Sequence, residues 1–244
     1  MRKVYAFGPS FRAEDSNTPR HAAEFWQVEP EIAFCDLNEL MDVIESMCKH
    51  IIKCCLEEAR EELEFFEQFI EAGLIEKLEH DLKCEFARVT YHEAVEKLME
   101  SGAKFTIPAS YGTPIQTEHE RYLAETVYGK PVFVIDYPKE QKAFYMYLND
   151  DGETVAGTDL LFPKLGEIVG ASQREDRLEV LEQRIEECGL RKEDYDWYCD
   201  LRRYGSCTHS GFGLGLERML RYVTGIENIR DVIAYPRTPK NIMF

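Results

Sequence analysis

Two arginine-bearing segments at opposite ends of the chain have residue types and spacing suited to phosphate chemistry. Phe11-Arg12-Ala13-Glu14 lies near the start, and Gly211-Phe212-Gly213-Leu214-Gly215-Leu216-Glu217-Arg218 near the finish. Side chains repeat every two residues along a strand, so a strand through Tyr5–Glu14 sends Arg12 and Glu14 to one face. Arg12 can hold a phosphate oxygen there while Glu14 accepts from a donor such as an adenine amine. In the second segment, glycines at every other position let the backbone approach a flat or crowded partner, and Leu216 onward reads as a helix carrying Arg218. Alternating glycines also arise wherever a strand packs tightly under a helix, and the pattern alone leaves both readings open.

The elements that must position these residues follow from turns and periodicity. Turn formers over Asp15-Ser16-Asn17-Thr18-Pro19-Arg20-His21 separate the first strand from a second over Glu24–Phe34, a hairpin whose polar loop can fold over a nucleotide. Asp36 can cap a helix in which Leu40, Val43, Ile44, Met47, Cys48, Ile51 and Ile52 form a core stripe. The acidic run Glu57–Glu79 continues as a solvated helical face. Capping boxes at Thr90/Glu93 and Thr117/Glu120 start two more helices, stopped by Gly102 and Gly129. From Pro131 the period changes to two. Val132–Asp136 reads as a buried strand, and Ala143–Asn149 is expected to pair with Thr154–Phe162 across Asp150-Asp151-Gly152. Gly166–Arg174 is the next strand, followed by helices over Arg177–Cys188 and Asp194–Arg203 and then the glycine strand. Hairpins and meanders with helices around them predict an α+β fold, an antiparallel sheet flanked by helices, in one continuous domain over 1–244.

Composition bounds the function. A chain of 244 residues, 44% hydrophobic, can bury one substantial core. Net charge is −17, from 46 acidic and 29 basic side chains, so nucleic-acid contact is expected to be local. The eight cysteines show neither Cys-x-x-Cys spacing nor paired histidines, which argues for reduced thiols rather than a zinc site. No apolar run reaches the ~18 residues of a membrane span, and the start lacks a signal-peptide pattern, so the expectation is a cytoplasmic protein with no membrane association.

With these elements placed, the chain resembles the asparaginyl-tRNA synthetases, of class II, over nearly its whole length. The resemblance is carried by FGPSFRAEDSNTPRHAAEFWQVEPEIAF at 7–34, YGTPIQTEHERYLAE at 111–125, and the close DWYCDLRRYGSCTHSGFGLGLERMLRYVTGIENIRDVIAYPRTP at 196–239. Aspartyl relatives tend to carry Gln-Arg-Ile-His where this chain has Gln173-Arg174-Glu175-Asp176, which favours the asparagine branch. The resemblance implies the class II catalytic fold, ATP and Mg2+, and attack of the amino-acid carboxylate on the α-phosphate followed by acyl transfer to tRNA(Asn). It implies Arg12 on the α-phosphate, Glu14 at the adenine edge, Arg20 and His21 toward the outer phosphates, Phe25 stacked on adenine and Arg218 on the γ-phosphate. Arg12 and Arg218 are thus the catalytic cations, and Gly213, Gly215, Leu216 and Glu217 complete the nucleotide site. Glu167 resembles the magnesium carboxylate, and Glu29 and Arg174 the residues that meet the amino acid. Seven residues separate Glu167 from Arg174, so a bulge or bend between Gly170 and Ser172 is required to bring both to one pocket. With Glu175, Asp176 and Glu29 near that pocket, a neutral amide is expected to be preferred over a second carboxylate.

Relatives carry an anticodon-binding barrel and a first, dimer-forming signature ahead of the second signature with which this chain opens. The expectation is therefore a catalytic portion lacking its N-terminal part, belonging to an enzyme that is a homodimer when complete. Two alternatives stand beside it: a standalone paralogue that makes asparagine from aspartate, and a non-catalytic nucleotide-binding or interaction module.

Overall fold

Alternating residues and the polar turn fold the start of the chain into a hairpin of β1 (Lys3–Phe11) and β2 (Glu24–Ala33), with Phe7 opposite Val28. The structure, a computed structural model, describes residues 2–16 and 18–241. Asp36 then caps α1 (Leu37–Glu58). Its carboxylate accepts from the Glu39 amide at 2.9 Å, and Glu39 accepts in return from the Asp36 amide at 3.2 Å, satisfying two otherwise orphan donors. Leu40, Ile44, Cys48 and Ile52 form a fully buried stripe.

The acidic run departs from the expected continuous helix. The chain turns at Ala59 and again at Gly73 (φ +79°), giving α2 (Arg60–Phe69) and α3 (Leu74–Lys83). Each break re-aims an apolar face, so that Leu63, Leu74, Ile75 and Leu78 all reach the core.

After β3 (Ala87–Thr90), the Thr90 box forms as read and starts α4 (Tyr91–Glu100). The box expected at Thr117 is displaced by one residue. Gln116 caps α5 (Thr117–Tyr122), and its amide donates to His119 Nδ1 at 3.1 Å, while His119 Nε2–H donates to the Ile107 carbonyl at 2.8 Å. His119 is therefore the residue committed to this cap, and Glu120 and Arg121 are left to face other partners. A π-helical turn over Leu123–Val127 leads to Gly129 (φ +62°).

The remaining elements are β4 (Val132–Pro138), β5 (Thr154–Phe162), β6 (Gly166–Gln173), α6 (Leu178–Glu187), α7 (Asp196–Arg203), β7 (His209–Gly215) and α8 (Leu216–Thr224). They complete a seven-stranded sheet in the order β1-β2-β7-β6-β5-β4-β3. The sheet is mixed, not wholly antiparallel as expected: β3 runs parallel to β4 because α4 and α5 make the crossover between them. The predicted strand Ala143–Asn149 is instead a strap making isolated bridges. Its Tyr147 amide donates to Gln173 O at 3.0 Å, and its Tyr147 carbonyl accepts from Ala156 N at 2.8 Å, so it spans the ends of β6 and β5 rather than pairing along either.

Helices cover both faces. Helices α1, α2, α3 and α8 bury Phe133, Leu160, Phe162 and Ile168 on one side, and α4 with the π turn buries Val132, Val134 and Leu161 on the other. No helix among the described residues is long and apolar enough to cross a membrane, and all eight cysteines are free.

Candidate active site

The floor of one polar cavity is the three strands β2, β7 and β6, and its glycines have a steric cause. Gly215 lies opposite Gln27, Gly211 opposite Glu31, and Gly213 opposite Gly170 on the far side. The β2 side chains fold across β7: a Cβ at Gly211 would stand 2.3 Å from the Glu31 carboxyl carbon, and one at Gly213 would stand 3.0 Å from Gln27 Nε2. Any side chain on these two positions would evict the polar groups above them. The same absence of side chains leaves a cavity of about 640 Å³, in the range that holds a nucleotide with a small second ligand.

Arg12, Arg20, His21, Phe25, Glu29, Glu167, Arg174, Gly213, Gly215, Glu217 and Arg218 all line this cavity. Glu14 and Leu216 do not. The strand β1 ends at Phe11, so Arg12 and Glu14 do not share a strand face. Glu14 instead sits on the Arg12 guanidinium at 3.7 Å, both half exposed, and Arg12 lies 5.0 Å from the centre of the Phe25 ring. Glu217 reaches the wall, but both of its carboxylate oxygens accept from the Trp26 amide at 2.9 and 3.0 Å. It locks the start of α8 onto β2, and its carboxyl is raised by burial. His21 shares a 2.5 Å hydrogen bond with Thr18 and is held below its ordinary value by burial and then by Arg20.

At one end, Arg218 donates to the Glu167 carbonyl at 2.7 Å and to its carboxylate at 3.2 Å. Burial would raise Glu167, but the charge and hydrogen bond of Arg218, with Lys142 and Arg20, outweigh it and hold the group below its ordinary value. Two carboxylates that sequence reasoning missed stand beside it. Asp159 is half-buried and paired with Lys142 at 2.6 Å; burial, with Glu167 adding, raises it. Glu120, freed by the shifted α5 cap, is raised by burial and by Glu167, accepts from the Glu167 amide at 3.2 Å and faces Arg20 at 3.5 Å. The one signal for Asp159 was a carboxylate interrupting the apolar run of β5.

A bulge does bring Glu167 and Arg174 to one cavity, but it lies earlier than expected. Leu160 pairs with Val169 and Leu161 with Glu167, which makes Ile168 the extra residue on β6. From Gly170 onward the strand is regular, so Gly170, Ser172 and Arg174 share a face. Arg174 donates to Ser172 Oγ at 2.6 Å and, through Nε and Nη2, to Glu31 Oε1 at 3.1 and 2.5 Å. Glu31 is thus the carboxylate beside Arg174, a residue the sequence reading passed over for Glu29. Its other oxygen, Oε2, is buried without a partner. Glu175 and Asp176, expected near the pocket, turn away: Glu175 is fully buried on Arg177 at 2.7 Å, and Asp176 accepts from Thr208 at 3.3 Å.

The model of the tRNA synthetases class II (D, K and N) matches residues 1–239. The chain belongs to that family. An asparagine-tRNA ligase of Alkaliphilus metalliredigens is 58% identical over all of this chain and 53% of its own length. One of Clostridium novyi is 60% identical over 98% of this chain and 52% of its own length. Among solved structures, the asparaginyl-tRNA synthetase of Pyrococcus horikoshii complexed with asparaginyl-adenylate superposes with a TM-score of 0.90 at 40% identity, over 99% of this chain and 54% of that one. The chain spans about half the length of the curated relatives it matches. In this member of the family the carboxylates Glu167 and Asp159 flank Gly170, 3.3 and 3.9 Å from where a Cβ would stand. That cradle of hard oxygen donors, open where a side chain would fill it, fits a magnesium ion shared with phosphates.

Proposed function

We propose that this chain is the ATP- and amino-acid-binding part of an asparagine-tRNA ligase, acting as one catalytic unit. The observation that carries the choice of amino acid is the Arg174–Glu31 pair with its unpartnered Glu31 Oε2. A side-chain amide offers one acceptor and two donors, so its oxygen suits the Arg174 fork and its NH2 suits Oε2. A carboxylate offers no donor and meets like charge at the same atom.

In this reading the asparagine carboxylate attacks the α-phosphorus of ATP, the bond to the β-phosphate oxygen breaks, and pyrophosphate leaves with the electron pair. A terminal ribose hydroxyl of tRNA(Asn) then displaces AMP from the acyl carbon. Charge shifts onto phosphate oxygens throughout, so fixed cations do the work and no nucleophilic side chain is needed. Arg12 binds the α-phosphate and the incoming carboxylate, with the Phe25 ring toward the adenine. Arg20, His21 and Arg218 hold the outer phosphates. Glu167 and Asp159 would hold Mg2+, which when bound supplies positive charge between the phosphates. Glu29 faces the amino group. The whole enzyme works in the cytoplasm as a homodimer.

The test is ATP-pyrophosphate exchange with asparagine, in the parent chain and in Arg218→Ala, alongside ATP affinity. Removing a charged donor from a polyphosphate costs about 1.5–3 kcal/mol, so ATP binding should weaken by roughly tenfold or more. Unchanged ATP affinity would overturn the placement of the nucleotide.

A further inference from the structure

A second cavity, of about 1030 Å³, adjoins the first and shares Arg20 and His21 with it. Helix α8 serves both: Arg218 faces the first, and Arg221, one turn on, lines the second together with Arg121 of α5. These two arginines lack what buried cations ordinarily have. Arg221 is 5% exposed, yet among the described residues its guanidinium makes only a 3.4 Å contact from Nε to the Ile226 carbonyl, and its buried Nη1 has no acceptor among them. Arg121 has no acidic partner among the described residues, and its Nε is likewise buried and unpaired. Burial, followed by the charges of Arg121, Arg20 and Arg218, pushes Arg221 down to about 10.

The carboxylates on the same wall do not relieve this charge. Glu71 is taken up by Lys77 at 3.1 Å and Lys164 at 2.6 Å, and Glu125 accepts from the Lys164 amide. Glu227 offsets only part of the load on Arg221. Desolvating unpaired cations is costly unless something anionic joins them. Two forked donors at the end of a path through Arg20 match a small anion with several oxygens, and a pyrophosphate presents them.

We propose that the Arg121–Arg221 cavity is a binding site for inorganic pyrophosphate, which it receives from the neighbouring nucleotide pocket by way of Arg20. The site rests on the reading that ATP lies in the first cavity with its outer phosphates toward Arg20 and Arg218. Cleavage of ATP there frees an anion that must leave before the tRNA step. A cationic cavity next door draws that anion off the adenylate and opposes the reverse reaction.

Calorimetric titration of inorganic pyrophosphate, and separately of ATP, both with Mg2+ at fixed ionic strength, tests the site in the parent chain and three variants. Arg121→Gln should weaken pyrophosphate binding by about tenfold or more, the loss expected for a charge-assisted donor, while ATP affinity moves by less than about threefold. Arg218→Ala should weaken ATP. Arg221→Gln should match Arg121→Gln where it folds, and the half-buried Arg121 decides the matter where it does not. Pyrophosphate affinity unchanged by Arg121→Gln, or ATP and pyrophosphate losing equally, overturns the second site. Pyrophosphate binding that depends on Arg121 in a chain that binds no ATP keeps the anion cavity and sinks the nucleotide reading instead.

Discussion

Glu31 shows how much of the chemistry turns on a single atom. Its Oε1 is saturated by Arg174 and its Oε2 is buried and open, so the pair presents one donor fork and one acceptor to whatever side chain enters. Glu31→Gln turns that acceptor into an amide able to donate, and the asparagine-to-aspartate ratio of kcat/KM should fall by about tenfold or more, the worth of a hydrogen bond to a charged group. Pyrophosphate exchange with each amino acid reads the ratio directly, and a ratio left unmoved would reject Glu31 as the discriminating residue. Arg12 and Arg218 were singled out from residue type and spacing and Arg20 and Arg174 from the resemblance, and all four line the cavity. Glu31 was not singled out, since Glu29 and Glu31 share a strand face and period two gives both the same claim. Only the register, with Glu31 over Gly211, separates them. Glu175 and Asp176 failed in the opposite way: they follow Arg174 in sequence, but the chain leaves β6 there and sends them to Arg177 and Thr208.

At the scale of elements, capping chemistry was readable where donor and acceptor lie close in sequence. The Thr90 box formed as spaced, and Thr90→Ala should cost about 1 kcal/mol, visible as a lower denaturant midpoint at unchanged slope. At Thr117 a histidine competed for the same role and won, because its ring also reaches the Ile107 carbonyl. Helix α8 is anchored to α3 through the Tyr222 hydroxyl, which donates to the buried carboxylate of Asp81. Burial, only partly opposed by that bond, holds Asp81 above its ordinary value. The folded chain therefore keeps this proton where the unfolded chain has released it. The resulting stabilisation is complete below the unfolded value near ~3.9 and is lost as pH rises through the folded one. Asp81→Asn keeps an acceptor for Tyr222 and cannot titrate, so its stability relative to the parent should rise from about pH 4 upward. Urea unfolding of both across that range checks this, and a difference constant with pH would contradict it.

Over the whole molecule, the sheet ends on β1, whose outer edge carries no strand partner among the described residues, and Tyr5, Phe7 and Phe11 on it are exposed. Such an edge invites another chain. Self-association is predicted, weakened by Tyr5→Asp, and sedimentation velocity across a concentration series measures it; a monomer at every concentration would count against it. The α+β class was legible from hairpins and turns. The single parallel edge was hidden, because pairing between β3 and β4 is decided by the α4–α5 crossover and not by either strand's residues. The central claim concerns the pocket these elements build: one cavity in which Arg218 and Glu167 meet phosphate at one end while Arg174 and Glu31 read an amide at the other. The most direct test is calorimetric binding of two non-hydrolysable acyl-sulfamoyl-adenosine analogues, one carrying the asparaginyl group and one the aspartyl group. The account predicts that the chain binds the asparaginyl analogue at least about tenfold more tightly than the aspartyl one, and equal or tighter binding of the aspartyl analogue, or no binding of either, would contradict it.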